Sequence, residues 1–222
     1  MKRAALIIFL VLLVDQVSKI WIKTSMPLGD QFPVIGDWFY IHFVENNGMA
    51  FGWNFGGNYG KLFLSLFRLV AIGGIGYYLY KIIQTKKNTL LVVSISLIFA
   101  GALGNIIDSL FYGLIFEASG PFHIAQMFPE DGGYAGLFHG KVVDMLYFPL
   151  IDGFYPDWVP FIGGDYFAFF RPVFNVADSS ITIGVALLIL FQRQFFSETQ
   201  IEEVIESESS NQNENAKDNN EQ

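Results

Sequence analysis

The chain has 222 residues, of which 52% are hydrophobic, 17% aromatic and only 15% charged, with a net charge of −8. Soluble domains carry about 25% charged residues, so this deficit, together with 24 phenylalanines, points to a membrane protein. The absence of cysteine excludes disulfides, a thiolate nucleophile and thiolate-bound metal, and the body of the chain carries no basic patch for nucleic acid.

Lys2-Arg3 and the apolar run Ala4 to Val14 open like a secretory signal peptide. No small-residue cleavage site follows. Helical character instead continues through Asp15-Gln-Val-Ser-Lys19 and Ile20-Trp-Ile22, which predicts a first membrane span over about 4–23, close to the ~20 residues a bilayer requires. Asp15 and Lys19 share a helix face at i,i+4. They form either a salt bridge that neutralises a helix end or a polar face turned toward a site. Turn-forming Pro27, Gly29, Asp30, Pro33 and Gly36 follow, then a predicted strand at Trp38 to Val44. Glu45-Asn-Asn-Gly-Met-Ala-Phe-Gly52 holds a tight-turn Asn-Gly pair. This region is expected to be a small β-rich element on the membrane face, with Trp and Tyr at the interface.

A second span is predicted over 62–83, with Arg68 inside it, where an arginine either snorkels or pairs with a carboxylate. The third is predicted over 89–107. Ala100, Gly101 and Gly104 near its end admit a close neighbour, and Asn105 and Asp108 share one face at i,i+3. Ser109 to Arg171 reads as a long, aromatic-rich connection in contact with the interface, with Asp144 in a loop. A fourth span is predicted over 172–192, starting at Pro172, a residue suited to a first helical turn. Asn175 and Asp178 lie one to two turns inside it. Residues 1–196 thus form a four-span membrane domain. From Ser197 to Gln222, acids outnumber the lone Lys217 eight to one, which predicts a disordered, solvated tail.

With four spans, Lys2, Arg3, Lys81, Lys86, Lys87 and Arg193 fall on one side, which the positive-inside rule makes cytoplasmic. Both termini and the tail are then cytoplasmic. Asp15, Lys19, Asn46, Asn105, Asp108, Asp144, Asn175 and Asp178 all converge on the outer face. If Asp144 and Asp178 meet, repulsion and burial raise the pKa of one. The charged member then deprotonates a water while the other donates to a carbonyl and later protonates a leaving amine. The alternative is that these side chains only tie helices together. His42, His123 and His139 form no HExxH-type pair, and neither a G-x-S-x-G nor a P-loop is present. An ion-coupled transporter would spread polar residues over several depths, and a non-enzymatic assembly factor would tolerate Asn at 144 and 178.

Five segments together resemble the bacterial lipoprotein signal peptidases, the type II signal peptidases. They are Asp15-Gln-Val-Ser-Lys19, Asn46-Asn-Gly-Met-Ala-Phe51, Gly101-Ala-Leu-Gly-Asn105-Ile-Ile-Asp108, Gly140-Lys-Val-Val-Asp144 and Phe174-Asn175-Val-Ala-Asp178-Ser. The resemblance spans Leu13 to Gly184. It implies an all-α integral membrane protein of four transmembrane helices, with a small β-rich extracytoplasmic element and a long extracytoplasmic loop. The implied activity is that of an aspartic endopeptidase of the bacterial inner membrane. It would remove the signal peptide of diacylglyceryl-modified prolipoproteins just before the lipidated cysteine. Asp144 and Asp178 fall on the catalytic pair; Asp15, Lys19, Asn46, Asn105, Asp108 and Asn175 fall on positions that line or support the pocket. No metal or cofactor is implied. The implied partners are prolipoprotein substrates, membrane lipids and peptide-like inhibitors such as globomycin. Three features depart from the pattern. Ser109 stands where an arginine usually follows Asp108, leaving Arg68, Lys141 or Arg171 to take its part. Lys141 and Met145 flank Asp144 in place of His and Phe. The connection from Ser109 to Gly140 is long, which predicts an added outer-face element near the substrate entrance.

Overall fold

The computed structural model describes residues 1–47, 57–85, 88–149, 151–169 and 172–195. The Gly48–Gly52 turn, Lys86, Lys87, Arg171 and the acidic tail lie outside the described residues. Helix α1 (Lys2–Ser25) buries Ala4, Asp15, Lys19, Ile22 and Lys23 and exposes Leu6, Phe9, Leu10, Leu13, Val17 and Trp21. Charge faces inward and apolar surface faces outward, the reverse of a helix solvated by water. Helix α2 (Gly57–Gln84) repeats the arrangement, with Lys61 and Ser65 buried and Phe63, Phe67 and Val70 exposed. Helix α3 (Thr89–Ile107) starts at Asn88, whose side chain accepts from the Leu90 N–H at 2.8 Å. These three helices are long and apolar enough to cross a membrane, and the protein is an integral membrane protein with a small sheet.

Instead of stopping at Ile107, α3 passes through a π-helical turn at Asp108–Tyr112 into a last short helical turn, α4 (Gly113–Ile115). Such π turns occur mostly singly and often at functional sites. A four-stranded antiparallel sheet follows the order β1-β2-β3-β6: β1 (Gln31–Ile35), β2 (Phe39–Asn46), β3 (Val142–Tyr147) and β6 (Val173–Phe174). Strands β4 (Ile151–Phe154) and β5 (Tyr166–Phe169) form a separate hairpin. One face of the main sheet packs Phe43, Val143 and Met145 on Ile22 of α1, on Met26 just beyond it, and on Tyr112 and Phe116. The sheet therefore sits on the C-terminal end of α1, beside the π turn.

Two expectations change. Asp144 is on β3 rather than in a loop, because that stretch pairs with β2 nearly a hundred residues earlier. The last helix, α5 (Val176–Leu190), begins four residues later than Pro172 suggests. The chain from Val173 to Phe174 is drawn into the sheet, and Asn175 caps α5 through a capping box with Asp178. At 15 residues, α5 is about 22 Å long, short of the ~30 Å hydrocarbon core. It is apolar and packs tightly on α3. A Cβ on Gly101 would lie 2.2 Å from the Ala177 carbonyl oxygen, and the Ser180 hydroxyl donates to the Leu97 carbonyl at 2.8 Å.

Candidate active site

The polar residues of all five segments meet where α1, α3, α5, β2 and β3 converge. At the base lies Lys19, fully buried, whose Nζ reaches Asp15 at 2.9 Å, Asp108 at 2.8 Å and the Asn105 side-chain oxygen Oδ1 at 3.0 Å. Its three donors are thereby used. Asp15 serves a second helix: its other oxygen accepts from the Ala177 N–H at 2.9 Å. An acid on α1 thus satisfies one of the open N–H groups of the first turn of α5. The Asp15–Lys19 salt bridge forms, but well inside α1 rather than at its end, and it is the floor of the polar cluster. Gln16, which the sequence reading passed over, donates to Asp108 at 2.9 Å and accepts from Tyr112 at 3.2 Å. Its only signal was its place beside Asp15.

Above Lys19, Asn105 and Asn175 form a relay. The Asn105 amide donates to Asp178 at 2.7 Å. The Asn175 amide donates to Asp144 at 2.7 Å and, more weakly, to the Asn105 oxygen at 3.1 Å and the Val143 carbonyl at 3.3 Å. The capping box adds bonds from the Asp178 N–H to the Asn175 side chain at 2.9 Å and from the Asn175 N–H to Asp178 at 3.3 Å. Both carboxylates are thereby held by one residue, Asn175, and Asp144 also accepts from the Asn46 side chain. Asp144 is 3% exposed. Burial, and then the charge of Asp178, push its pKa up to about 7 against the pull of Lys19, Asn175 and Asn46. Asp178 stands in the first turn of α5, tied to Asn175 through the reciprocal bonds of the capping box.

Ser109 is 2% exposed, and its hydroxyl donates to the Asn105 carbonyl at 3.2 Å. It is folded back on its own helix. Lys141 lies behind β3 against Glu45 at 3.3 Å. Arg68 follows Lys61 and Ser65 at helical spacing on the inward stripe of α2, and the charge of Asp178 acts on it. Among the described residues, no three His, Asp or Glu side chains converge as a metal site requires. The arrangement offers two acids of unequal surroundings, fixed by amides, on a scaffold of apolar helices. That suits the addition of water to a carbonyl.

Residues 7–194 match the family model of signal peptidase (SPase) II. The chain is 57% identical over 190 residues to the lipoprotein signal peptidase of Porphyromonas gingivalis, covering 85% of this chain and 82% of that one. It is 40% identical over 190 residues to that of Amoebophilus asiaticus, covering 84% and 76%. A solved bacterial membrane enzyme, determined by the in meso method at 1.9 Å, is 30% identical with a TM-score of 0.57, covering 86% of this chain and 92% of that one. With a family match over most of its length and these relatives, the chain belongs to the signal peptidase II family, and it is a membrane-embedded protease.

Proposed function

We propose that this protease removes the signal peptide of diacylglyceryl-modified prolipoproteins, cutting before the lipidated cysteine, with Asp144 and Asp178 as its catalytic pair. The observation that carries the reading is the shared grip of Asn175 on both carboxylates. Asp178, as the charged member, takes a proton from a water that attacks the scissile carbonyl carbon. Asp144, carrying the proton, donates to the carbonyl oxygen as it gains charge. The tetrahedral adduct then collapses: its hydroxyl returns the proton to Asp144, the C–N bond breaks, and Asp178 passes the proton taken from water to the departing cysteine amine. Asp15, Lys19, Asn46, Asn105, Asp108 and Asn175 hold the pair in place. The test is cleavage by the purified chain in detergent of a prolipoprotein with and without its diacylglyceryl group. The reading requires cleavage of the lipidated form. A chain that cuts neither form, or both equally, contradicts it.

The membrane arrangement we favour has four spans, with α5 the shortest, both termini cytoplasmic and the catalytic pair near the outer face of the inner membrane. There the substrate's lipid and scissile bond lie at the same depth, and membrane lipids and globomycin-like peptides would enter. Residues 1–196 make up the peptidase domain and 197–222 an acidic cytoplasmic tail. The loop after α4 stands at the same outer end. Because the chain has no cysteine, single cysteines report topology cleanly. Phe122→Cys, in that loop and fully exposed, is expected to react with a membrane-impermeant maleimide in intact cells. Thr85→Cys, beyond α2, is expected to react only after permeabilisation. The opposite pattern overturns the orientation.

Arg68 takes the part of the arginine that Ser109 replaces. Ser109 is folded back on its own helix, Lys141 lies behind β3 against Glu45 and Arg171 lies outside the described residues, while Arg68 stands on the inward stripe of α2 on the side of Asp178. Arg68→Met is expected to lower kcat/KM by roughly 10- to 100-fold, the loss of one hydrogen bond from a charged group. Unchanged kcat/KM would exclude it from substrate binding.

A further inference from the structure

Behind the catalytic strand lies a second charged cluster to which the reaction gives no role. Register pairs Val44 with Asp144, Glu45 with Val143 and Asn46 with Val142. Side chains alternate along a strand, so Asn46 and Asp144 share the front face while Glu45 points behind with Val143. There Glu45, 2% exposed at its side chain, pairs with the buried Lys23 of α1 and with Lys141 at 3.3 Å. Ser119, from the long connection, bridges Lys23 at 2.6 Å and Glu45 at 2.8 Å. Tyr134 of the same connection lies 5.1 Å below the Lys23 ammonium and accepts from the Lys141 N–H at 2.6 Å.

Two observations make this cluster more than packing. The β2–β3 ladder is irregular between Ile41 and Val44, so the pairing nearer Tyr40 does not by itself dictate the pairing at 44–46. A one-residue slip there would send Asn46 to the back and Glu45 to the front, removing the Asn46 bond to Asp144. A buried ion pair is a poor source of stability but a good selector between alternative registers, because the wrong register strands its charges. Glu45 draws partners from α1, from the 116–135 segment and from the approach to β3, and a slipped strand would lose all three.

We propose that Glu45, gripped by Lys23, Ser119 and Lys141, is a positioning residue that pins β2 in register against β3 and so holds the Asn46 amide on Asp144. The long connection after α4 thereby acquires a task, which is to bring Ser119 and Tyr134 to the back of the catalytic strand. The inference rests on the reading of Asp144 as one of the catalytic pair.

The test is a double-mutant cycle on the full chain in detergent with a diacylglyceryl prolipoprotein peptide. Glu45→Gln is expected to lower kcat about tenfold with KM little changed, and Asn46→Leu to lower it at least as much. Contacting residues that act as one are not additive, so Glu45→Gln/Asn46→Leu is expected to be no worse than Asn46→Leu alone. If Glu45→Gln does not fold, Lys23→Met/Glu45→Leu replaces the buried pair with apolar groups of similar volume and enters the same cycle. Losses that multiply, or a wild-type kcat in Glu45→Gln, overturn the proposal. Asp144→Asn separates the two claims. Retained cleavage in that variant would defeat the catalytic reading itself, whereas an inactive Asp144→Asn beside a multiplicative cycle defeats only the register pin.

Discussion

Asp144→Asn and Asp178→Asn are each expected to fold and to lose about 10²–10⁴-fold in kcat, the range for removal of a positioned acid or base. Asparagine keeps the size and one acceptor oxygen of aspartate, so the Asn105 and Asn175 amides retain a partner in either variant. The capping box of α5 loses its reciprocal half at worst, a cost of about 1 kcal/mol. Asp144→Asn also loses the Asn46 bond, because one of its two acceptor oxygens becomes a donor; what disappears in both variants is the capacity to exchange a proton. Because the two acids act as a unit, the double variant is expected to be little worse than either single one. Cleavage of a lipidated prolipoprotein and thermal unfolding in the same detergent check both halves. A folded variant that cleaves at the wild-type rate would remove that residue from the chemistry.

Lys19→Met is expected to cost about 3–5 kcal/mol of stability, the usual penalty for stripping one partner from a buried ion pair. The methionine fills the space, but Asp15 and Asp108 are left as two buried acids that had shared one ammonium at 2.9 and 2.8 Å. Lys19→Arg is not a rescue, since a planar guanidinium cannot place donors on Asp15, Asp108 and Asn105 as the compact ammonium does. The damage should reach the catalytic pair through Asn105, which accepts from Lys19 and donates to Asp178. Unfolding in detergent is the measure. A variant as stable as the parent would mean that Lys19 is not the keystone of the polar cluster.

What could be read in the sequence was what depends on neighbours along the chain. Helix α3 shows its start because Asn88 caps it and a mostly apolar stretch of 19 residues follows. Gly101 and Gly104 announce a close neighbour, and the structure seats Ala177 against both. The i,i+4 spacing of Asp15 and Lys19 gives their pairing outright. What could not be read depends on partners far away in the chain. Strand β3 looks like loop because its surroundings are rich in Gly and aromatics and its partner β2 is distant. The Lys23–Glu45–Ser119 cluster joins three segments that share no local pattern. The start of α5 was legible but misjudged: Pro172 suggests a first turn, whereas Asn175-x-x-Asp178 is the stronger signal, a capping box. The π turn at Asp108 leaves no mark in the apolar pattern that runs through it.

The most direct test of two carboxylates sharing one proton is the pH dependence of kcat for the wild type and for Asn46→Leu. The pKa of Asp144 is raised to about 7, first by burial and then by the charge of Asp178. Its proton is therefore present below that pH and lost above it. The account predicts a rate that falls as pH rises through about 7. The Asn46 bond favours the charged form of Asp144, so Asn46→Leu should move this alkaline limb to higher pH while lowering the maximum. A rate that shows no alkaline limb, or a limb that Asn46→Leu moves to lower pH, would contradict the account.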